Sequence, residues 1–273
     1  MVEILSSNSN PKIKNVLALQ EKSKIRREQG VFVVEGLREL KACLSSSYEL
    51  DSIYYNSQLI SEKEIENLVQ KESNLDIRSL RLYSLNAELY SKIAYRGSTE
   101  GLVAVVKIKK TRLEDIKLKS KYNPLILVLE SVEKPGNLGA LLRTADASGV
   151  DAVLVCDPLT DLYNPNLIRA SIGSVFTVQV VSCTSRDAQI WLERNGIKIL
   201  TAQLQDANWY YNSDMVQPTA IVMGSEAEGL SDFWRTVSHA KIKIPMLGKM
   251  DSLNVSVSAA ILCYEAVRQR NTK

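Results

Sequence analysis

Apolar and polar positions alternate in short blocks along the chain. VFVVEG (31–36), DSIYYN (51–56) and GLVAVVKI (101–108) are rich in β-branched and aromatic residues, and each predicts a strand. Helical signals lie between them. Asn10-Pro11 opens a helix predicted to run to Gly30, because Asn caps free amides and Pro fits the first helical position. A second helix is predicted from about Leu37, a third opens at the capping box Ser61-x-x-Glu64, and a fourth lies near 84–96. From Pro124 the pattern becomes a regular alternation. LILVLE (125–130), DAVLVC (151–156) and FTVQVV (176–181) read as strands, with helices predicted from Asn137, near 165–171 and up to Gly196. KILTAQL (198–204), TAIVMG (219–224) and KIKIPM (241–246) are three further strands before a last helix from about Leu253 to Arg270. Short apolar strands separated by helices predict a parallel α/β sheet.

A chain of 273 residues fits two modest domains or one large one. Its 45% hydrophobic and 24% charged residues exclude disordered, collagen-like and disulfide-scaffold classes. Residues 107–121, KIKKTRLEDIKLKSK, hold seven basic and two acidic residues, so the expected division is a domain at 1–106, a basic linker at 107–122 and a second domain at 123–273. The net charge of +3 is too small to imply nucleic-acid binding, so the distribution of charge matters more. Lys12, Lys14, Lys22, Lys24, Arg26 and Arg27 give the first helix a basic face, which either meets phosphates or is simply solvated.

Four scattered cysteines, Cys43, Cys156, Cys183 and Cys263, form no C-x-x-C pair, and His239 is the only histidine. Thiolate zinc sites, Ser-His-Asp chemistry and multi-histidine metal sites are therefore poor fits, and no metal is expected. With neither a signal-peptide pattern nor an apolar run of about 18 residues, the expectation is a cytoplasmic protein without a membrane partner.

Ligands of parallel α/β sheets bind in loops at the carboxyl ends of strands, and three such loops carry candidate chemistry. EKPGNLGALLRTADASG (133–149) leads into a helix presenting Asn137 and Arg143, suited to an anionic substrate or to an ordinary strand-to-helix turn. MGSEAEGLS (223–231) has the glycine spacing of a phosphate loop but Leu230 where Lys is needed, and Glu226 and Glu228 would repel phosphate. No G-x-G occurs, so the dinucleotide fingerprint is also missing. The third loop, IPMLGKMDSLNVSVSAAILCYEA (244–266), breaks at Pro245 and Gly248 before Ser252, Leu253 and Asn254 open the last helix.

In this order and near these spacings, the three segments resemble the motifs of the SpoU (TrmH-type) RNA ribose 2'-O-methyltransferases of the SPOUT superfamily. Asn137-x-Gly139 with Arg143 and Ala145 matches the first motif, Gly224-x-Glu226-x-x-Gly229-Leu230 the second, and Ile244-Pro245 with Ser252-Leu253-Asn254-Val255 the third. None of these positions departs from the family's pattern. The resemblance covers roughly residues 123–273, and the amino-terminal region is less specifically similar to the ribosomal-protein-like α/β substrate-binding domain of many members.

The resemblance implies an α/β fold whose carboxy-terminal parallel-sheet domain is threaded as a deep trefoil knot, an exception to the rule against knotted chains. It implies S-adenosyl-L-methionine as cofactor, bound near Gly224, Ile244, Met246 and Leu253. It further implies a homodimer in which the last helix, with Ile261, Leu262, Tyr264 and Val267, joins the interface. Carried onto this chain, Arg143 would activate the 2'-hydroxyl, Asn137 and Asn254 would orient groups at the centre, and Glu226 and Ser252 would support the site. Because arginine stays protonated, its better role is to stabilise developing alkoxide charge and bind phosphate. Ribosomal RNA is favoured as substrate; a transfer-RNA methyltransferase and a non-catalytic RNA-binding assembly protein are the alternatives.

Overall fold

The computed structural model describes residues 2–73, 80–95, 100–119 and 123–271. They divide into two compact units, one of Met1–Lys110 with Asp161–Thr177, the other of Thr111–Thr160 with Val178–Lys273. None of the described helices is long and apolar enough to cross a membrane.

The first unit is built on five strands, β1 (Val2–Leu5), β2 (Val31–Glu35), β3 (Leu50–Asn56), β4 (Arg81–Leu85) and β5 (Leu102–Lys107), in the order β1-β4-β3-β5-β2. The first three in that order are parallel, and β5 runs against β3 and β2. Its helices are α1 (Pro11–Glu21), α2 (Ser23–Gln29), α3 (Leu37–Ser45), α4 (Glu62–Ser73) and α5 (Ala87–Ile93). Ile13, Val16 and Leu19, three residues apart, seal α1 onto a core shared with Tyr54, Tyr83, Leu89 and Ile93. The Ser61–Glu64 capping box forms as read, with Ser61 N donating to Glu64 Oε2 at 2.8 Å and Glu64 N to Ser61 Oγ at 3.3 Å. Asn10 caps α1 by accepting from Lys12 N at 2.9 Å.

The helix expected from Asn10 to Gly30 is two helices, because Lys22 adopts an extended conformation (φ −113°, ψ 109°). The break strands the last carbonyls of α1, and Arg26 satisfies them. Its Nη1 donates to Leu19 O at 2.5 Å and Gln20 O at 3.2 Å, while Nε donates to Asp161 at 2.7 Å. At 2% exposure Arg26 leaves the expected basic face. Lys14, Lys22 and Arg27 remain exposed there, whereas Lys12 pairs with Glu3 and Lys24 with Glu28. Strands β1 and β4 are not among the predicted strands, each being only four or five residues long. The fourth predicted helix is shorter than read, and its last position, Arg96, lies outside the described residues.

The second unit has seven strands: β6 (Leu125–Glu130), β7 (Ala152–Cys156), β8 (Val180–Cys183), β9 (Lys198–Ala202), β10 (Asn208–Trp209), β11 (Thr219–Met223) and β12 (Ala240–Lys243). Their order is β10-β12-β9-β11-β6-β7-β8, and every neighbouring pair is parallel. The sheet is flanked by α6 (Pro135–Ala147), α9 (Ser185–Arg194), α10 (Asp232–Val237) and α11 (Val255–Asn271), with α11 packed on α6. All six residues of β6 are buried, as expected of a central parallel strand. From β6 the sheet grows through β7 and β8 on one side, and from β11 through β9, β12 and β10 on the other. The carboxyl ends of β6 and β11 therefore flank the point where strand order reverses, where α/β sheets open a crevice.

Part of the expected linker is packed. Leu113 is buried with Ile126, Leu154 and Trp234 in the core of the second unit, and Ile116 and Leu118 pack against it. Three apolar residues spaced among lysines suffice to hold this segment down; residues 120–122 of the expected linker lie outside the described residues. Between β7 and β8 the chain rejoins the first unit through α7 (Pro165–Ser171) and α8 (Ser174–Thr177). FTVQVV, read as a strand from 176, thus begins as the end of α8. Phe176 stacks on Phe32 with ring centroids 5.8 Å apart, and Tyr163 lies 4.4 Å from the same ring. Tertiary aromatic packing overrides local strand preference at these positions.

Candidate active site at the carboxyl edge of the parallel sheet

A cavity of about 610 Å³ opens beside the carboxyl ends of β11 and β12. Its size is that of a small-molecule or cofactor site. Gly224, Glu226, Ile244, Met246, Ser252, Leu253 and Asn254 line it, which brings seven of the nine predicted site residues onto one wall. Leu204, Val255 and Leu262 add apolar surface, and Lys134, Glu228, Arg235 and Asp251 add charge.

The loop after β11 explains why its glycines are spaced as they are. Ser225 N donates to Gly229 O at 3.1 Å and Gly229 N donates to Ser225 O at 3.0 Å, closing a tight hairpin. A Cβ on Gly224 would lie 2.2 Å from the Gly229 carbonyl carbon, so no larger residue fits. Gly229 itself has φ +69°. Glu226 projects from this hairpin to Lys134, Nζ to Oε2 3.1 Å. Its carboxylate sits beside the start of α6.

The first and third segments meet directly. Asn254 Nδ2 donates to Asn137 Oδ1 at 3.3 Å, while Asn254 Oδ1 accepts from Ser256 N and Oγ at 3.0 and 2.6 Å and so caps α11. Ser252 Oγ donates to Asp251 Oδ1 at 3.1 Å and remains exposed. Arg143 stands apart from this group. It is exposed on α6, six residues beyond Asn137 and hence about 9 Å along the helix axis, and it is absent from the cavity wall.

One sequence model, described as the SpoU rRNA Methylase family, matches residues 124–264, more than half of the chain. The chain belongs to the SpoU rRNA methylase family. A second model, the MRM3-like substrate binding domain, matches residues 10–104. The SpoU-family chain is 30% identical over 242 residues to the 23S rRNA (guanosine-2'-O-)-methyltransferase RlmB of Vibrio parahaemolyticus, covering 87% of this chain and 96% of the relative. It is 26% identical over 260 residues to the 23S rRNA (guanosine(2553)-2'-O)-methyltransferase RlmP of Bacillus subtilis, covering 95% and 97%. Among solved structures, the AdoMet bound rRNA methyltransferase from Sinorhizobium meliloti aligns with a TM-score of 0.87 at 27% identity over 98% of both chains. The protein is thus an S-adenosylmethionine-dependent RNA methyltransferase with a SPOUT-type carboxy-terminal domain and a smaller amino-terminal domain.

The residues of this SpoU-family chain fit that cofactor. Apolar Leu204, Ile244, Leu253 and Leu262 suit a purine ring, and Glu226, Glu228 and Asp251 offer carboxylates to a sulfonium and an ammonium on a wall that also carries the cations Lys134, Arg235 and Lys243. Among the described residues, no cluster of His, Cys, Asp and Glu is arranged to hold a metal ion. Three contributors escaped the sequence reading. Glu130, 7% exposed at the end of β6, accepts from Ser231 N and Oγ at 2.8 and 2.6 Å and ties β6 to the start of α10. Lys134 pairs with Glu226, and Arg235 joins the wall from α10, a helix too short to show periodicity. The only signal for Glu130 was a charge closing an otherwise apolar strand.

Proposed function

We propose that this protein methylates a ribose 2'-hydroxyl in large-subunit ribosomal RNA. The observation that carries the reading is the convergence of all three motifs, with the Gly224–Gly229 hairpin, Ile244–Met246 and Ser252–Asn254 around one cavity and Asn254 joined to Asn137. Relatives matching across both units are named for 23S rRNA, which favours ribosomal over transfer RNA.

The cofactor, when bound, supplies an electrophilic methyl group on a sulfonium. Everything else falls to the chain. Gly224, Ile244, Met246 and Leu253 form the cofactor-binding wall. Asn137 and Asn254, each fixing the other's amide, orient the attacking ribose, since methyl transfer requires an in-line approach. Glu226 and Ser252 hold the loops that carry them. Arg143, a permanent cation, stabilises the negative charge that develops at the 2'-oxygen as the hydroxyl proton passes to solvent, and binds the neighbouring phosphate.

Arg143 is off the wall of its own protomer, which supports a homodimer in which it completes the partner's site. Val257 and Tyr264 of α11, 48% and 50% exposed, form the apolar face suited to that contact. Leu262, expected at the interface, is fully buried within its own unit and contributes to the cavity instead. A trefoil-knotted path through the second unit and a cytoplasmic location belong to the same proposal. The first unit, with exposed Lys14, Lys22 and Arg27, would grip RNA.

The test is transfer of labelled methyl from S-adenosylmethionine to separated, unmodified ribosomal and transfer RNA, followed by alkaline hydrolysis. Label in an alkali-resistant dinucleotide from ribosomal RNA is expected. Label in mononucleotides would mean base methylation, and label confined to transfer RNA would overturn the substrate.

A further inference from the structure

Arg235 presents a charge to the cavity without a counterpart. Its Nε is buried from solvent and makes no hydrogen bond, and no described carboxylate pairs with the guanidinium. The side chain is held in place: Trp234 beside it is fully buried, and a Cβ on Gly229 would stand 4.0 Å from Arg235 Nη2. Arg235 as a whole is half-buried, but a buried Nε–H left without an acceptor is costly, and a ligand in the cavity would complete it. The other cations on this wall are engaged. Lys134 pairs with Glu226 at 3.1 Å, and Lys243 lies over the Trp209 ring, 5.0 Å from its centroid.

The cofactor carries one anionic group, the carboxylate of its amino-acid end. Glu226, Glu228 and Asp251 would repel it, so the wall needs a cation at one position to accept it. A guanidinium is the side chain best shaped for a carboxylate. We propose that Arg235 is a positioning residue that holds the carboxylate of S-adenosylmethionine and thereby fixes the direction of the methyl group. The inference rests on the cofactor occupying this cavity.

Calorimetric titration with S-adenosylhomocysteine and with its decarboxylated analogue tests it, because the two ligands differ only in the carboxylate. The wild type should prefer S-adenosylhomocysteine by at least tenfold; Arg235→Met should abolish that preference while leaving the analogue's affinity within twofold, and Arg235→Lys should restore part of it. Equal weakening of both ligands would make Arg235 a support for the hairpin and overturn the proposal. A loss of affinity for ribosomal RNA with the ligand preference intact would assign the guanidinium to a phosphodiester and overturn it too. Ser258→Trp, which fills the cavity, separates the two levels of inference. Wild-type binding of both ligands in that variant would remove the cofactor from this cavity altogether. Loss of both there, with the preference unchanged in Arg235→Met, would overturn the role of Arg235 alone.

Discussion

Asn254 donates to Asn137 across 3.3 Å, although 117 residues separate them in the chain. The bond couples the start of α11 to the start of α6 and sets the two amides against one another. If both orient one ribose, their effects on turnover are not independent. Asn137→Ala and Asn254→Ala should each lower kcat, and the double variant should fall short of their sum by about 1 kcal/mol in a double-mutant cycle. Additive losses would mean that the two side chains act separately.

Arg143→Ala should reduce methyl transfer by about 10²–10³-fold, the size of effect seen when one donor to a developing oxyanion is removed. Affinity for S-adenosylhomocysteine should stay within twofold, since Arg143 is off the cavity wall. Mixing Arg143→Ala protomers with protomers carrying a cofactor-blocking Ser258→Trp change should restore roughly a quarter of wild-type activity, one intact site in each mixed dimer. No restoration would mean that Arg143 serves its own protomer.

The basic face of α1 and α2 separates into two kinds of residue. Replacing exposed Lys14, Lys22 and Arg27 with Ala should weaken binding to ribosomal RNA and flatten its salt dependence, with thermal stability unchanged. Arg26→Met should do the reverse. It leaves Asp161 and the carbonyls of Leu19 and Gln20 without their donor, at a cost of about 3 kcal/mol in urea unfolding. Equal losses of RNA affinity in both variants would contradict this division.

Glu265 is buried on α11, where hydrogen bonds from the Arg268 guanidinium, chiefly, and from Gln269 hold its carboxyl below the usual carboxylate range. A depressed folded-state value stabilises the protein above the unfolded pKa, about 4.3, and that contribution is lost as pH falls through the folded value. Glu265→Gln should therefore cost about 1 kcal/mol at pH 7, with the solvent exposure of Arg268 limiting the effect. The difference from wild type should shrink as pH is lowered from 5 towards 3, read from denaturant midpoints. A gap that widens in acid would refute the assignment.

Local chemistry made much of this fold legible. Asn10 and the Ser61–Glu64 pair announced helix starts because their partners lie within three residues, and β6, β7 and β11 announced themselves as fully buried strands. What escaped depends on distant neighbours. Arg26 reads as one cation among six until Asp161, 135 residues away, draws it inward. FTVQVV has strand composition, yet Phe176 answers to Phe32. At the site, the motif residues could be named in advance because backbone constraints, such as the approach of Gly224 to Gly229, leave a fixed signature. Arg235 left none, since its significance is a missing partner.

The chain passes between the two units three times, after Lys110, after Thr160 and after Thr177. No single peptide cleavage can therefore release either unit with all of its residues. Trimming the chain at Lys110 would carry Asp161–Thr177 along with the second unit, orphaning Asp161 from Arg26 and Phe176 from Phe32. A replacement of residues 1–110 alone, made as one continuous segment, would leave those seventeen residues without the partners they have here.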